Sequence, residues 1–141
     1  MATVLFVCLH NAGRSQMSAA LFERAADGRH RALSAGTLAD PRGRVHPAVV
    51  EVMREVGVDL SARRPQPLTD DLIAQADVVV TMGCGDACPY IPGKQYAEWD
   101  LPDPTGQPVD LVRVTRDEIA RRVEELLRTL DSTTTHDSQG A

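Results

Sequence analysis

The stretch VLFVCLHNAGRSQM, residues 4–17, joins an apolar run to a helical pattern through a short loop. Residues 3–8 (TVLFVC) form a continuous apolar run, which is typical of a strand covered on both faces. From residue 15 onward apolar residues recur with a period of about 3.6, which predicts a helix ending at Asp27-Gly28. Cys8 therefore stands where the first strand ends, and an arginine and a helix start follow it. It is either a buried wall residue or a nucleophile.

The rest of the chain alternates strands with helices. Periodicity and capping residues predict strands at 30–35, 77–82 and 95–99, and helices starting at Pro47, after Thr69 and at about residue 110. Such alternation indicates a parallel sheet with helices on both faces, in which ligands bind beyond the carboxyl ends of the strands. We expect one domain over residues 1–130 and a polar, disordered tail over 131–141.

Bulk composition excludes several classes of partner. The chain has 141 residues and a net charge of −5 without a basic block, which argues against nucleic acid or an anionic membrane. No apolar run approaches the roughly 20 residues that a membrane helix needs, and the N-terminus resembles no signal peptide, so we expect a cytoplasmic protein. Three cysteines favour catalytic, redox or metal roles over a structural disulfide framework.

The loop CLHNAGRS, residues 8–15, is suited to binding an oxyanion. Its backbone N–H groups can form an anion-binding nest, the helix N-terminus adds partial positive charge, and Arg14 can hold two oxygens in its planar fork. The same field stabilises a thiolate, which makes Cys8 the expected nucleophile. Ser15 either donates a hydrogen bond to that thiolate or caps the helix. The expected substrate-binding residues are Leu9, His10, Asn11, Ala12, Gly13 and Arg14.

This loop resembles the phosphate-binding loop of low-molecular-weight protein tyrosine phosphatases and of the arsenate reductases that share their fold. The resemblance continues through LSAGT at 33–37, VVVTMGCGDACP at 78–89 and WDLPDPTG at 99–106, and it covers nearly the whole chain to residue 130. It implies a three-layer α-β-α fold whose four-stranded parallel sheet has flavodoxin-like topology.

Two further cysteines, Cys84 and Cys88, follow the strongest predicted strand. Their spacing would bring them to one face of a helix, near the range for disulfide formation. A zinc site lacks a histidine pair at ligand spacing, and two incidental loop cysteines are the remaining alternative. The redox interpretation uses all three thiols: Cys8 attacks the oxyanion, Cys84 attacks the adduct, and Cys88 resolves the disulfide. Within the resembled family, paired cysteines in this loop imply a thioredoxin-coupled arsenate reductase.

Asp103 is the predicted general acid. The Asp103-Pro104 pair resembles the family's acid loop, in which the carboxyl protonates the leaving oxygen, whereas an ordinary Asp-Pro turn is the alternative. Phosphatases of the family usually carry aromatic residues after this pair, but Thr105 and Gly106 follow here. This departure weakens the phosphatase alternative.

Two other features bear on ligands. Some related reductases bind potassium through Asn, Ser and acidic residues; Asn11 and Ser34 match, but the acidic partners are missing, so we expect no bound metal. We expect three histidines to lie at the surface: His30, His46 and His136.

The leading hypothesis is reduction of arsenate to arsenite by a cytoplasmic monomer. No bound cofactor is expected; an external dithiol, thioredoxin by resemblance, supplies the electrons. Three alternatives remain open: a low-molecular-weight tyrosine phosphatase, a mycothiol- or glutaredoxin-dependent reductase that needs Cys8 alone, and a non-enzymatic module that binds the anion.

Overall fold

The sheet is built on the apolar run that opens the chain. The computed structural model describes residues 1–83 and 92–140, with side chains described through Ser132. Strand β1 (Thr3–Cys8) lies at the interior of a four-stranded sheet whose other strands are β2 (Arg31–Gly36), β3 (Val78–Thr81) and β4 (Gln95–Glu98). The strand order is β2-β1-β3-β4 and every pairing is parallel, so the predicted doubly wound architecture is confirmed.

Four helices connect and cover these strands. They are α1 (Arg14–Ala26), α2 (Pro47–Arg54), α3 (Asp70–Gln75) and α4 (Val109–Gly140). The capping signals act as predicted: Asp27 ends α1 in the left-handed conformation, Pro47 opens α2, and the Thr69 hydroxyl accepts a hydrogen bond from the Leu72 amide at the start of α3.

The alternation of side chains along β1 divides the core into two layers. Val4, Phe6 and Cys8 belong to the larger cluster, which includes apolar residues of α1, α2 and α4. Leu5 and Val7 point to the opposite face and belong to the cluster that contains Ile73 of α3. The Cys8 side chain is therefore on the α1 face of the sheet.

The last helix is longer than the sequence predicts. We expected a helix over about 110–130 and a disordered tail from 131, but the backbone of α4 is helical to Gly140. Neither proline nor glycine interrupts residues 131–139, and Asp131 is anchored: its carboxylate accepts one hydrogen bond from Arg29 at 2.5 Å and is 2.8 Å from His30 Nε2. Among the described residues, no helix is both long and apolar enough to cross a membrane.

Candidate active site

The carboxyl ends of the strands bring those predicted site residues that the structure describes to one edge of the sheet. Cys8 is the last residue of β1 and pairs with Gly36, the last residue of β2. On the other side of β1, Val7 pairs with Thr81 at the end of β3. The loops that leave these three strands therefore start side by side, as a parallel sheet requires.

Cys8 is buried, and two groups contact its sulfur. The backbone N–H of Asn11 donates to Sγ at 3.3 Å, and the Ser15 hydroxyl lies 2.9 Å from Sγ. The Cys8 residue is only 2% exposed, so each of these contacts is shielded from water. Both groups are able to donate a hydrogen bond to the sulfur.

The neighbours of Ser15 leave its hydroxyl able to donate to the Cys8 sulfur. The backbone N–H of Gln66 donates to Asn11 Oδ1 at 2.8 Å, which fixes that atom as the carbonyl oxygen of the side-chain amide. The Asn11 nitrogen Nδ2 consequently donates to Ser15 Oγ, at 2.6 Å. With its oxygen accepting from Asn11, the Ser15 hydroxyl has its own hydrogen free for Cys8.

Ser15 lies where the first of its two expected roles would place it, and that role stays a prediction. The residue that precedes the helix as N-cap is Gly13, and no side-chain hydrogen bond caps α1. Ser15 is fully buried and its described contacts are with Cys8 and Asn11.

The backbone of Asn11 has an unusual conformation, because its φ of 56° lies in the left-handed region that few non-glycine residues adopt.

Arg14 is held across the site by groups from other loops. Its Nη1 donates to the Leu101 carbonyl at 3.2 Å, and its Nη2 is 3.8 Å from Asp103 Oδ2. The side chain is 8% exposed. Gly83, which follows β3, packs so closely that a β-carbon built there would lie 2.1 Å from Arg14 Nη1.

Asp103 lies on the other side of the site and is half-exposed. Its Oδ1 accepts a hydrogen bond from the Thr105 backbone N–H at 2.9 Å. Burial raises the pKa of Asp103, but hydrogen bonds from Thr105 and the charges of Arg14 and His46 outweigh it and lower that pKa below its ordinary value. The carboxyl group is therefore ionised at neutral pH in the anion-free protein.

A cleft joins the cysteine loop to the acid loop. It is lined by Cys8, His10, Ala12, Gly13, Arg14, His46, Asp103, Pro104 and Thr105. Pro104 lies against the cysteine loop, since a β-carbon at Gly13 would be 2.6 Å from its ring. Two of the predicted substrate-binding residues, Leu9 and Asn11, do not line this cleft. The Leu9 carbonyl accepts a hydrogen bond from the Leu38 backbone N–H, and Asn11 lies behind the cleft with its side chain hydrogen-bonded to Ser15.

One of the three histidines expected at the surface is buried, and another is half-buried in the cleft. His46 lines the cleft: its Nε2 is 3.1 Å from Thr105 Oγ1 and its backbone N–H donates to the Ala12 carbonyl at 2.9 Å. His30 is 4% exposed, and its Nδ1 accepts from the Ala2 amide at 3.0 Å. The position of His46 between β2 and α2, at the edge where the β1 loop opens, was the available signal. His136 lies among the side chains outside the described residues.

Sequence reasoning also missed two glutamines behind the loop. Gln16 Nε2 donates to Asn11 Oδ1 at 3.1 Å, and the Gln66 backbone holds the same oxygen. No local pattern distinguishes them from ordinary polar residues. Cys84 and Cys88 fall outside the described residues. Among those that are described, no group of three or more His, Cys, Asp or Glu residues could hold a metal ion. The expectation of no bound cation stays a prediction.

Comparison with known proteins identifies the relatives of this chain. The sequence profile of the family described as low molecular weight phosphotyrosine protein phosphatase matches residues 3–136. A candidate arsenate reductase of Halobacterium salinarum is 43% identical over 126 residues, which are 86% of this chain and 87% of that protein. A glutaredoxin arsenate reductase of Synechocystis is 33% identical over 130 residues, 90% of this chain and 97% of that protein.

Solved structures give the same picture of the fold. A thioredoxin-dependent arsenate reductase of Corynebacterium glutamicum matches with a TM-score of 0.78 and 41% identity, covering 94% of this chain and 63% of that one. This chain thus spans less than two thirds of that relative. An arginine phosphatase of Geobacillus stearothermophilus matches with a TM-score of 0.84 and 25% identity, covering 96% and 97% of the two chains.

Proposed function

This chain belongs to the low molecular weight phosphotyrosine protein phosphatase family, and from that membership we propose that it is an arsenate reductase. One observation carries the proposal: a buried cysteine with two hydrogen-bond contacts to its sulfur shares a cleft with an arginine and a carboxylate. The arsenate reductases among its relatives favour arsenate over a phosphate ester as the anion.

The first step forms a bond between sulfur and arsenic. The Cys8 thiolate attacks arsenate, an oxygen leaves as water, and Asp103 supplies a proton to that oxygen. Asp103 is ionised in the anion-free protein, because its pKa is lowered. A bound oxyanion brings negative charge beside the carboxyl and engages the Arg14 charge, and both effects raise the pKa of Asp103. Substrate binding thus favours the protonated form of Asp103, which is the form that can act as the acid.

The second and third steps move two electrons. The Cys84 thiolate attacks the Cys8 sulfur, a disulfide forms, and the electron pair of the sulfur–arsenic bond leaves with arsenic as arsenite. Cys88 then attacks Cys84, which frees the Cys8 thiolate and leaves a Cys84–Cys88 disulfide for an external dithiol. The start of this segment supports the relay, because β3 lies beside β1 and Gly83 contacts Arg14.

The electron donor is proposed to be thioredoxin. A dithiol of that class reduces an exposed disulfide directly, which fits a final Cys84–Cys88 bond. One relative is named a glutaredoxin arsenate reductase and another a thioredoxin-dependent arsenate reductase, so the donor must be tested separately from the chemistry. The proposed working form is a monomer in a reducing compartment, the cytoplasm, where the thiols stay reduced between turnovers.

A coupled assay tests the proposal. NADPH consumption is followed with arsenate, thioredoxin and thioredoxin reductase for the wild type and for Cys8→Ser, Cys84→Ser and Cys88→Ser. The relay predicts loss of multiple turnover in all three variants, and Cys88→Ser should accumulate a Cys8–Cys84 disulfide detectable by mass spectrometry. Turnover that depends on Cys8 alone, with glutathione and glutaredoxin as donors, would contradict the relay while retaining arsenate reduction.

A phosphatase is the second candidate, favoured by the arginine phosphatase that shares the fold. Hydrolysis of a phosphate ester requires Cys8 and Asp103 but no electron transfer, so Cys84→Ser and Cys88→Ser would leave it intact. The same variants assayed with p-nitrophenyl phosphate distinguish the two functions. Full ester hydrolysis without arsenate-dependent NADPH consumption would establish the phosphatase.

A further inference from the structure

The side-chain amide of Gln16 lies at the centre of three oxygen atoms. Its Nε2 is 3.2 Å from the Asn11 carbonyl, 3.1 Å from Asn11 Oδ1 and 3.1 Å from the Arg64 carbonyl. The Gln16 residue is 4% exposed, so water does not compete for these acceptors. An amide nitrogen carries two hydrogens, and one of them is therefore shared between two oxygens.

These contacts hold Asn11 by both its backbone and its side chain. A non-glycine residue in the left-handed region is strained and persists only where its surroundings fix it. The segment 64–68 supplies the rest of the support. The Gln66 N–H donates to Asn11 Oδ1, and Gly36 exchanges backbone hydrogen bonds with Gln66 and Leu68. Gln16 ties this segment to the cysteine loop through the Arg64 carbonyl.

The orientation of the Asn11 amide decides what reaches Cys8. With Oδ1 occupied by the donors of Gln16 and Gln66, Nδ2 is directed to Ser15, and the Ser15 hydrogen is left for the sulfur. An Asn11 amide turned the other way would accept the Ser15 hydrogen and leave Cys8 with one donor fewer. The buried Gln16 amide thus acts on the sulfur through two intervening residues.

We propose that Gln16 is a positioning residue for Cys8, which fixes Asn11 so that the Ser15 hydroxyl donates to the sulfur. Within the proposed function, this inference rests only on the nucleophilic role of Cys8. It holds whether the anion is arsenate or a phosphate ester. Gln16 touches neither the anion nor the reacting atoms in this scheme.

The test measures Cys8 directly and does not use turnover. Iodoacetamide alkylation of the Cys8 peptide is followed by mass spectrometry, which separates it from the other two thiols, at a pH on the rising limb of the wild-type rate–pH profile, where the rate follows the fraction of thiolate. Gln16→Met keeps the length of the side chain and removes both donors. Asn11 Oδ1 then keeps the Gln66 N–H alone, so the Ser15 donor to the thiolate is held less firmly, and Cys8 alkylation at this pH should slow by about three- to tenfold.

Ser18→Ala is the matched control on the same helix. Ser18 is also fully buried and donates to the Arg14 carbonyl at 2.8 Å, but it makes no described contact with Asn11. It should change thermal stability and leave the Cys8 alkylation rate within about twofold of the wild type. Equal alkylation rates in Gln16→Met and the wild type would overturn the proposal, as would equal slowing in Ser18→Ala.

Gln16→Glu provides a second variant should Gln16→Met fold poorly. A carboxylate keeps the shape of the amide but faces three oxygens without a donor, so it also predicts slower Cys8 alkylation at the same pH. Unchanged alkylation in a folded Gln16→Glu protein would reject the positioning role. Arsenate-dependent NADPH consumption is recorded in parallel. Failure of the proposed function would appear there as no arsenate reduction by the wild type, with the alkylation result unaffected.

Discussion

The cysteine loop (residues 8–15) and the acid loop (residues 100–106) face each other across one cleft, but they are held in different ways. In the cysteine loop, Cys8, Asn11 and Ser15 are buried and bonded to one another. In the acid loop, Asp103 is half-exposed and its Oδ1 is held by the amide of Thr105, its near neighbour. Leu101 and Pro104 are the buried anchors of the acid loop.

The difference separates a fixed group from an adjustable one. A nucleophile gains from donors that are already in place, because no reorganisation is then needed at the moment of reaction. An acid that must become protonated when substrate binds gains from an environment in which the charge of the bound anion can raise its pKa. Substitutions of the buried polar residues in the cysteine loop should therefore change stability and chemistry together, while a substitution of Asp103 in the acid loop should change chemistry alone.

The largest effect is expected at Asn11. Asn11→Ala removes the oxygen that accepts hydrogen bonds from the Gln66 backbone N–H and the Gln16 side-chain amide. It also removes the Asn11 donor to Ser15, so the Ser15 hydroxyl is no longer oriented toward Cys8. We expect turnover to fall roughly 10³-fold and the free energy of unfolding to fall by about 2–4 kcal/mol. Chemical denaturation and steady-state kinetics measure the two quantities.

Asn11→Gly is the matched variant, since glycine accepts the positive φ without strain but lacks the amide. It should recover part of the stability and none of the turnover. Recovery of turnover in Asn11→Gly would show that the backbone conformation alone, and not the hydrogen bonds of the side chain, serves Cys8.

A smaller effect is expected at Asp103. Asp103→Asn keeps the shape of the side chain and removes the transferable proton, so turnover should fall by about a hundredfold, within the range for general acids. Its melting temperature should match that of the wild type, because the carboxyl is half-exposed. A clear loss of stability in Asp103→Asn would contradict the stated difference between the two loops, because Asp103 would then contribute to the stability of the fold as well as to chemistry.

Thr105→Val tests whether the Thr105 hydroxyl lowers the pKa of the Asp103 carboxyl. Hydrogen bonds from Thr105 lower the pKa of Asp103, so removal of the hydroxyl should raise that pKa toward its ordinary value. We expect turnover to stay within about tenfold of the wild type. Carbon-13 NMR of the carboxyl in the anion-free protein measures the shift. An unchanged or lower pKa would show that the Thr105 hydroxyl has no such role.

The smallest effect on chemistry is expected far from both loops, at Glu55. Arg113 and Arg116 of α4 hold its carboxylate by hydrogen bonds and lower the pKa of Glu55 to about 2. A lowered pKa stabilises the fold above the unfolded-state pKa, near 4.5, and this contribution is lost as the pH falls toward 2.

Glu55→Gln should therefore melt below the wild type at neutral pH, and the gap should close on acidification through that window. Turnover should equal that of the wild type. Thermal melts recorded from neutral to acidic pH give the measurement. A gap that persists at the acidic end would mean that packing, rather than charge, explains the difference.

The parts of the fold that lie in one continuous pattern could be predicted from the sequence. The apolar run of β1, the loop and the period of α1 are adjacent, so Cys8 could be placed at the sheet edge without tertiary information. The start of α2 at Pro47 and the cap at Thr69 were equally local. Each of these features depends on contacts within a few residues.

The parts that were missed depend on distant contacts. His30 is buried because its partners, Ala2 and Asp131, are 28 and 101 residues away in the chain. His46 reaches Thr105 across 59 residues. Gln16 meets Arg64 across 48. No period or local motif reports such neighbours; only the tertiary fold brings them together.

The close contact between Gly83 and Arg14 has a consequence for sequence variation. Gly83 has a φ of 75°, and the atom that would meet its β-carbon is the tip of a flexible side chain, which can move away. A residue larger than glycine would thus displace the guanidinium while leaving most of the core intact. Drift at position 83 would produce proteins that fold but bind anions poorly, and selection on activity would retain this glycine for as long as it retains the arginine.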